Sequence, residues 1–143
     1  MTILSIDPKK HQPTVYQALY QVHVKLDGLK LLERKLHHLV VLRASQINGC
    51  AFCVKMHIAE AKADGETQER LDRLIVWRHV DDFSAAEKAT FAWTEALTTI
   101  NTQADYEPLR LQLLQHFSEE QISALTVTIG MINLWNRIQI SQH

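Results

Sequence analysis

The chain has 143 residues, 46% of them apolar and 22% charged, with 15 basic and 16 acidic residues scattered along it. That is the length of one domain able to bury a core unaided, so we read 1–143 as a single domain. No basic stripe, acidic tail or membrane-attracted surface is built, which excludes nucleic acid and membrane as expected partners, and only 4 Gly and 3 Pro argue against an all-β fold.

The helical signal is nearly continuous, which places the chain in the all-α class. The opening stretch, Met1 to Pro13, has no apolar signal core, and no apolar run is long enough to cross a bilayer. The cytoplasm is the default location, where thiols are kept reduced. Pro13 opens a helix carrying Val15, Leu19, Val22 and Leu26 at steps of three and four, and Gly28 ends it. A second helix is expected from Leu29 to Ala44, with Leu32, Leu36, Leu39 and Val40 on or near one stripe. Ser45 to Gly49 reads as a turn. A third helix starts near Cys50 and stops at Gly65, and a fourth covers Thr67 to Arg78.

Ser84 and Glu87 form a capping box for a helix ending near Ile100. Pro108 sits in the first turn of a short helix to Phe117. Ser118 and Gln121 form a second capping box, and the last helix runs to Ile140. Its apolar residues, among them Ile122, Leu125, Val127, Ile129, Ile132 and Trp135, lie on most sides. A helix apolar all round must be covered all round. Either a second subunit supplies part of the cover or this is the central helix of a monomer; an exposed apolar face ordinarily marks an interface, which favours the first.

The chemistry lies in Ser45 to His57. An α-helix turns about 100° per residue, so Cys50, Cys53 and His57 project within roughly 60° of one another. Glu60 falls near the same face. Unpaired N–H groups and the macrodipole at a helix start favour an anion, so a thiol there ionises more readily than a free one. His57 lies one turn past Cys53, where it can take or return a proton. A disulfide between residues three apart constrains little of the unfolded chain, so a purely structural bridge is a poor explanation. Redox chemistry, metal binding and simple burial stay open. Cys50, Cys53 and His57 supply three possible zinc ligands and a His from the preceding helix a fourth, although structural zinc sites usually draw paired ligands from two separated segments. Val54 follows Cys53 directly, which rules out c-type haem attachment.

The stretch from Leu39 to Cys53, with His57 and the Ala61–Glu66 turn, resembles the AhpD-like alkylhydroperoxidases of the carboxymuconolactone decarboxylase-like superfamily. The similarity continues through Leu74 to Arg78, Phe83 to Leu97 and Ile132-Asn133-Leu134-Trp135-Asn136-Arg137, which puts the core at 31–138. The resemblance implies an all-helical subunit in trimers or hexamers. It also implies a peroxidase in which Cys53 attacks a hydroperoxide, Cys50 closes the disulfide and a dithiol reductant or reductase protein reopens it. Decarboxylating members generally lack the CxxC, so decarboxylation is not carried over.

One position departs from the resemblance. Twelve residues before the first Cys such proteins usually carry a relay Glu, and here that residue is His38. A neutral His can also draw a proton, with a midpoint near neutrality. The alternatives are a surface His38 beside His37, with Glu60 as the substitute carboxylate. His11, His23, His37, His79, His116 and His143 form no ligand motif and are expected in solvent for the most part. Trp77, Trp93 and Trp135 are expected in the core or at a subunit contact. No phosphate-cradling loop and no cofactor site is indicated. The catalytic candidates are therefore Cys53, Cys50, His57 and His38, with no metal site. A non-enzymatic redox sensor or disulfide carrier using the same thiols is the first rival reading, and a zinc-stabilised module the second.

Overall fold

The computed structural model describes residues 4–143, and residues 1–3, on which part of the reading of the N-terminal stretch rests, lie outside it. The elements in order are α1 (Pro8–His11), α2 (Pro13–Leu29), α3 (Arg34–Asn48), α4 (Ala51–Ala63), α5 (Gln68–Arg73), a 3₁₀ turn (Leu74–His79), α6 (Ala85–Thr98), α7 (Glu107–Leu114) and α8 (Glu119–Ile140). The all-α expectation holds. No helix among the described residues is long and apolar enough to cross a membrane.

The most enclosed helix is α3. It packs against α4, α6 and α8. Leu39, Val40, Leu42 and Ala44 are fully buried. Leu39 and Leu42 join Ala61, Leu74, Trp77 and Phe91 on one side. Leu36 and Val40 join Trp93, Leu113, Leu125 and Ile129 on another, and Val41 and Ala44 meet Ile132 on a third. A fully buried aliphatic side chain contributes about 1.5–3 kcal/mol, so this helix anchors the rest. The last helix, expected to need cover on most sides, turns one face inward through Ala124, Leu125, Thr128, Ile129, Ile132, Asn133 and Asn136. Val127 and Ile140 remain exposed.

Three boundaries around α2 and α3 differ from the sequence reading. Gly28 does not end α2; the helix continues to Leu29, and Lys30 takes the left-handed cap position at φ 52°. The next helix starts at Arg34 rather than Leu29 and absorbs Ser45 to Asn48, which read as a turn. These polar residues stay helical because partners satisfy them. Ser45 Oγ donates to the carbonyl of Val41, and Asn48 Nδ2 donates to Asn133 Oδ1 and Asn136 Oδ1 on α8. Gly49, at φ 70°, then stops the helix. Cys50 N–H donates to the carbonyl of Ser45 there, which closes the last turn.

The helix expected over Thr67 to Arg78 tightens into a 3₁₀ turn at Leu74. The turn is kinked at Val76, whose φ of −117° and ψ of 25° are not helical. Leu74 and Trp77 are buried together while Ile75 and Val76 face out. Ser84 caps α6, but Glu87 does not reach back; its carboxylate takes a hydrogen bond from Arg70. Ser118 and Gln121 make the full reciprocal box expected of them. The seventh helix ends at Leu114, short of the expected Phe117.

Candidate functional site

Gly49 turns the chain sharply between α3 and α4, and Cys50 becomes the N-cap of α4 in extended conformation. The Cys53 N–H donates to Cys50 Sγ at 3.3 Å. The two sulfurs are joined as a disulfide. Both residues are buried, Cys50 at 0% exposure and Cys53 at 2%. Cys50 borders a shallow apolar depression with Ala51, Val54 and Ile58.

Cys53 lines a separate cavity of about 640 Å³ enclosed by α2, α3, α4 and α8. His38 and His57 line the same cavity, so three of the four sequence candidates meet there and Cys50 sits behind them. Tyr16, Tyr20, Phe52, Met131 and Trp135 supply its apolar wall. Tyr16 and Trp135 meet edge to face at 5.0 Å, which ties α2 to α8 over the site.

The two imidazoles each hold a carboxylate. His57 Nδ1 lies 3.1 Å from Glu60 Oε2. An ionised carboxylate only accepts, so Nδ1 carries the proton and Nε2 is left as the acceptor. Burial lowers the His57 pKa, against the opposing pull of Glu60, and keeps the ring neutral near pH 7. His38 is buried at 5% exposure, which excludes the surface reading. Its Nε2 bonds Asp64 Oδ2, and Arg34 Nε donates to the same oxygen at 2.9 Å. Those two hydrogen bonds, His38 first, hold the Asp64 carboxyl below its ordinary range.

His37 and His23 were expected in solvent; both line the cavity, His23 while staying exposed as expected and His37 with part of its surface covered. His37 is half-buried, and its pKa is lowered to about 4 by burial and then by the neighbouring His38, His23 and His57. His11, His79, His116 and His143 are exposed as expected. Trp77 and Trp93 are core residues, while Trp135 belongs to the cavity wall. Among the described residues no group of three or more His, Cys, Asp or Glu is placed to hold a metal ion.

Asp64 was missed by the sequence reading, because Asp before Gly at a helix end reads as a plain stop signal. A usable hint existed: Arg34 and His38 are four apart and share a face of α3. The Ser45–Asn48–Asn133–Asn136 network was missed too, although its members recur at three-residue steps on α3 and on α8.

Fold and site together define an all-helical protein with a thiol–disulfide pair at the start of a core helix, beside a histidine-lined cavity. The carboxymuconolactone decarboxylase family model matches residues 13–96, and the chain belongs to that family. The uncharacterised protein YdfG of Bacillus subtilis (strain 168) is 38% identical over 110 residues, covering 77% of this chain and 75% of the relative. The uncharacterised protein YnjA of Escherichia coli (strain K12) is 28% identical over 103 residues, 72% of this chain and 56% of its own length. A crystal structure of a protein of unknown function from Agrobacterium tumefaciens, suggested to be the antioxidant defence protein AhpD, superposes with a TM-score of 0.91 at 36% identity, covering 98% of this chain and 95% of that one. The debrominase Bmp8 superposes with a TM-score of 0.82 at 19% identity over 93% of this chain and 71% of its own, a likeness of fold alone.

Proposed function

We propose that the protein is a thiol peroxidase that reduces hydroperoxides through a Cys50/Cys53 dithiol–disulfide cycle. The observation that carries this reading is the position of Cys53, bonded to Cys50 and lining a cavity beside two carboxylate-bound histidines. In the reduced protein a neutral imidazole takes the Cys53 thiol proton. The thiolate attacks the outer oxygen of the hydroperoxide. An S–O bond forms and the O–O bond breaks, and the departing alkoxide takes a proton from the imidazolium. Cys53 is now a sulfenic acid. The Cys50 sulfur displaces its oxygen as water, the Cys50 proton leaving with it. An external dithiol reopens the disulfide and is itself oxidised.

His57 has the acceptor nitrogen and the neutral state that the first step needs. His38 is the second acid–base group of the site. A sensor or disulfide carrier would use the same thiols without peroxide turnover. The test is hydroperoxide consumption with a dithiol reductant, for wild type beside Cys50→Ser and Cys53→Ser. Both variants are expected to lose sustained turnover. A sulfenic-acid reagent is expected to label Cys53 in Cys50→Ser. Labelling of Cys50 in Cys53→Ser, with none of Cys53 in Cys50→Ser, would reverse the order of attack.

A further inference from the structure

We propose that Glu60 is a positioning residue for His57, holding the proton on Nδ1 so that Nε2 is the bare acceptor for the proton leaving the Cys53 thiol. The inference deepens the peroxidase reading, and it rests on that reading only for the purpose the proton transfer serves.

Three observations carry it. The first is spacing on one unbroken helix, since Cys53, His57 and Glu60 all lie within α4. Residues three and four apart on a helix are neighbours, with Cβ atoms about 5–6 Å from each other. Helical side chains also lean toward the N-terminus. Glu60 therefore leans over His57, and the His57 ring leans over Cys53, within reach of its sulfur directly or through one water. The second observation is the upper half of that stack: Nδ1 of His57 lies 3.1 Å from Oε2 of Glu60. The two nitrogens sit on opposite edges of an imidazole, so a ring that gives Nδ1 to Glu60 turns Nε2 away from it. The third is access. All three residues line the cavity, and 11% of the His57 side chain is open. Its Nε2 has no hydrogen-bond partner among the described residues and is not one of the buried polar atoms sealed from solvent.

No other carboxylate lining the cavity serves this ring. Asp64 is taken by His38 and Arg34 past the far end of α4, and Asp27 faces Arg34 from α2. The other titratable groups around the cavity are His37 and His38 on α3, with Tyr16, Tyr20, His23 and Lys30 on α2 and its cap. The last helix lines it with no charged side chain.

Once the disulfide is open, the step is a single proton transfer. The S–H bond of Cys53 breaks, an N–H bond forms at Nε2, and a thiolate faces an imidazolium. Glu60 supplies the negative charge that offsets the imidazolium, and its pull opposes the burial that lowers the His57 pKa. The carboxylate of a Ser–His–Asp triad does the same, fixing the tautomer without taking the proton itself. Here one helix supplies the thiol, the base and the carboxylate that orients the base.

The sign of one shift separates this role from mere proximity. A carboxylate that only stands near a thiol repels its thiolate, so removing the charge lowers the thiol midpoint. A carboxylate acting through His57 stabilises the thiolate–imidazolium pair, so removing it raises the midpoint. The measurement is the pH dependence of Cys53 alkylation by iodoacetamide in a Cys50→Ser background. It is made at low ionic strength, because 48% of the Glu60 side chain is exposed. A substitution at so open a position leaves the fold in place. Glu60→Gln is expected to raise the midpoint by about 0.5–1 pH unit, with roughly three- to tenfold slower alkylation below it. The rise is expected to vanish when His57→Ala is added. A fall, an unmoved midpoint or the same rise without His57 overturns the proposal. Long-range ¹H–¹⁵N spectra of the wild-type protein read the His57 tautomer independently; the Nδ1–H form is expected, and the Nε2–H form overturns the proposal. If alkylation responds as expected but no hydroperoxide is consumed, the peroxidase reading fails and the assignment of Glu60 stands. Hydroperoxide turnover with an unmoved midpoint reverses that outcome.

Discussion

Asn48 Nδ2, in the last turn of α3, donates to Asn136 Oδ1, deep in α8, at 3.0 Å. Asn136 is fully buried and passes its own Nδ2 to Ser45 Oγ at 3.0 Å. Asn133 takes the second acceptor place beside Asn48 at 2.9 Å. This network joins the two core helices just before Gly49 turns the chain into Cys50. It fixes the α3 end, and with it the direction in which α4 sets out. Asn136→Ala takes one of two acceptors from Asn48 and the donor from Ser45 Oγ, and opens a small void. The expected loss is about 2–3 kcal/mol of unfolding free energy, read from the denaturant midpoint. A midpoint within error of wild type would show that the network is dispensable.

The sequence made the helices and the Cys50–Cys53–His57 face legible, because both follow from spacing along one helix. It did not make Asp64 legible, because that contact joins the start of α3 to the end of α4 across 26 residues. Ser45 to Asn48 misled for a related reason. Polar residues before a glycine ordinarily mark a turn, and only the partners on α8 keep them helical. His37 was misjudged because nothing local shows that α2 folds back over α3. The second helix, α2, then raises a question of assembly, since Val15, Val24 and Leu29 stay exposed along it.

Those residues, with exposed Val127, leave apolar surface on α2 and α8 that one subunit does not cover. We expect a homotrimer or a dimer of trimers in solution. Light scattering at micromolar concentration is the measurement, and a particle of 16.5 kDa would show a monomer and sink the expectation.

His37 makes stability pH-dependent in a defined window. Its folded pKa is lowered from 6.5 to about 4, chiefly by burial. The unfolded chain therefore takes a proton first as pH falls, and the folded state loses ground from about 6.5 down to about 4. His57, lowered for the same cause, acts in the same direction. Asp64 and Glu95, whose pKa values are lowered instead, lose their contribution only below the ordinary carboxylate range. The full effect of His37 is roughly 3 kcal/mol and less for a half-buried ring. Melting temperature against pH should fall more gently for His37→Gln than for wild type between pH 6.5 and 4. Parallel curves would mean that the ring is charged in the folded protein as well.

Position 38 gives the sharpest test of the relay. From the family resemblance alone, His38→Glu restores the usual carboxylate and should raise turnover. Asp64 reverses that expectation. A second carboxylate at 38 would face the Asp64 oxygen that His38 now bonds. Two carboxylates sharing a site cannot both ionise freely, so one proton is retained at the pH where the base must be empty. Arg34 already serves Asp64 and is too exposed to offset the repulsion fully. His38→Glu alone is therefore expected to run slower than wild type. Adding Asp64→Asn removes the like charge and should recover activity, with the acid limb displaced toward the lower pKa of Glu. His38→Ala, with no base in place, should lose about 10²–10⁴-fold in kcat/KM if the ring carries the proton. The measurement is kcat/KM for a hydroperoxide across pH for the three variants. A single His38→Glu enzyme faster than wild type would show that Asp64 does not govern this position.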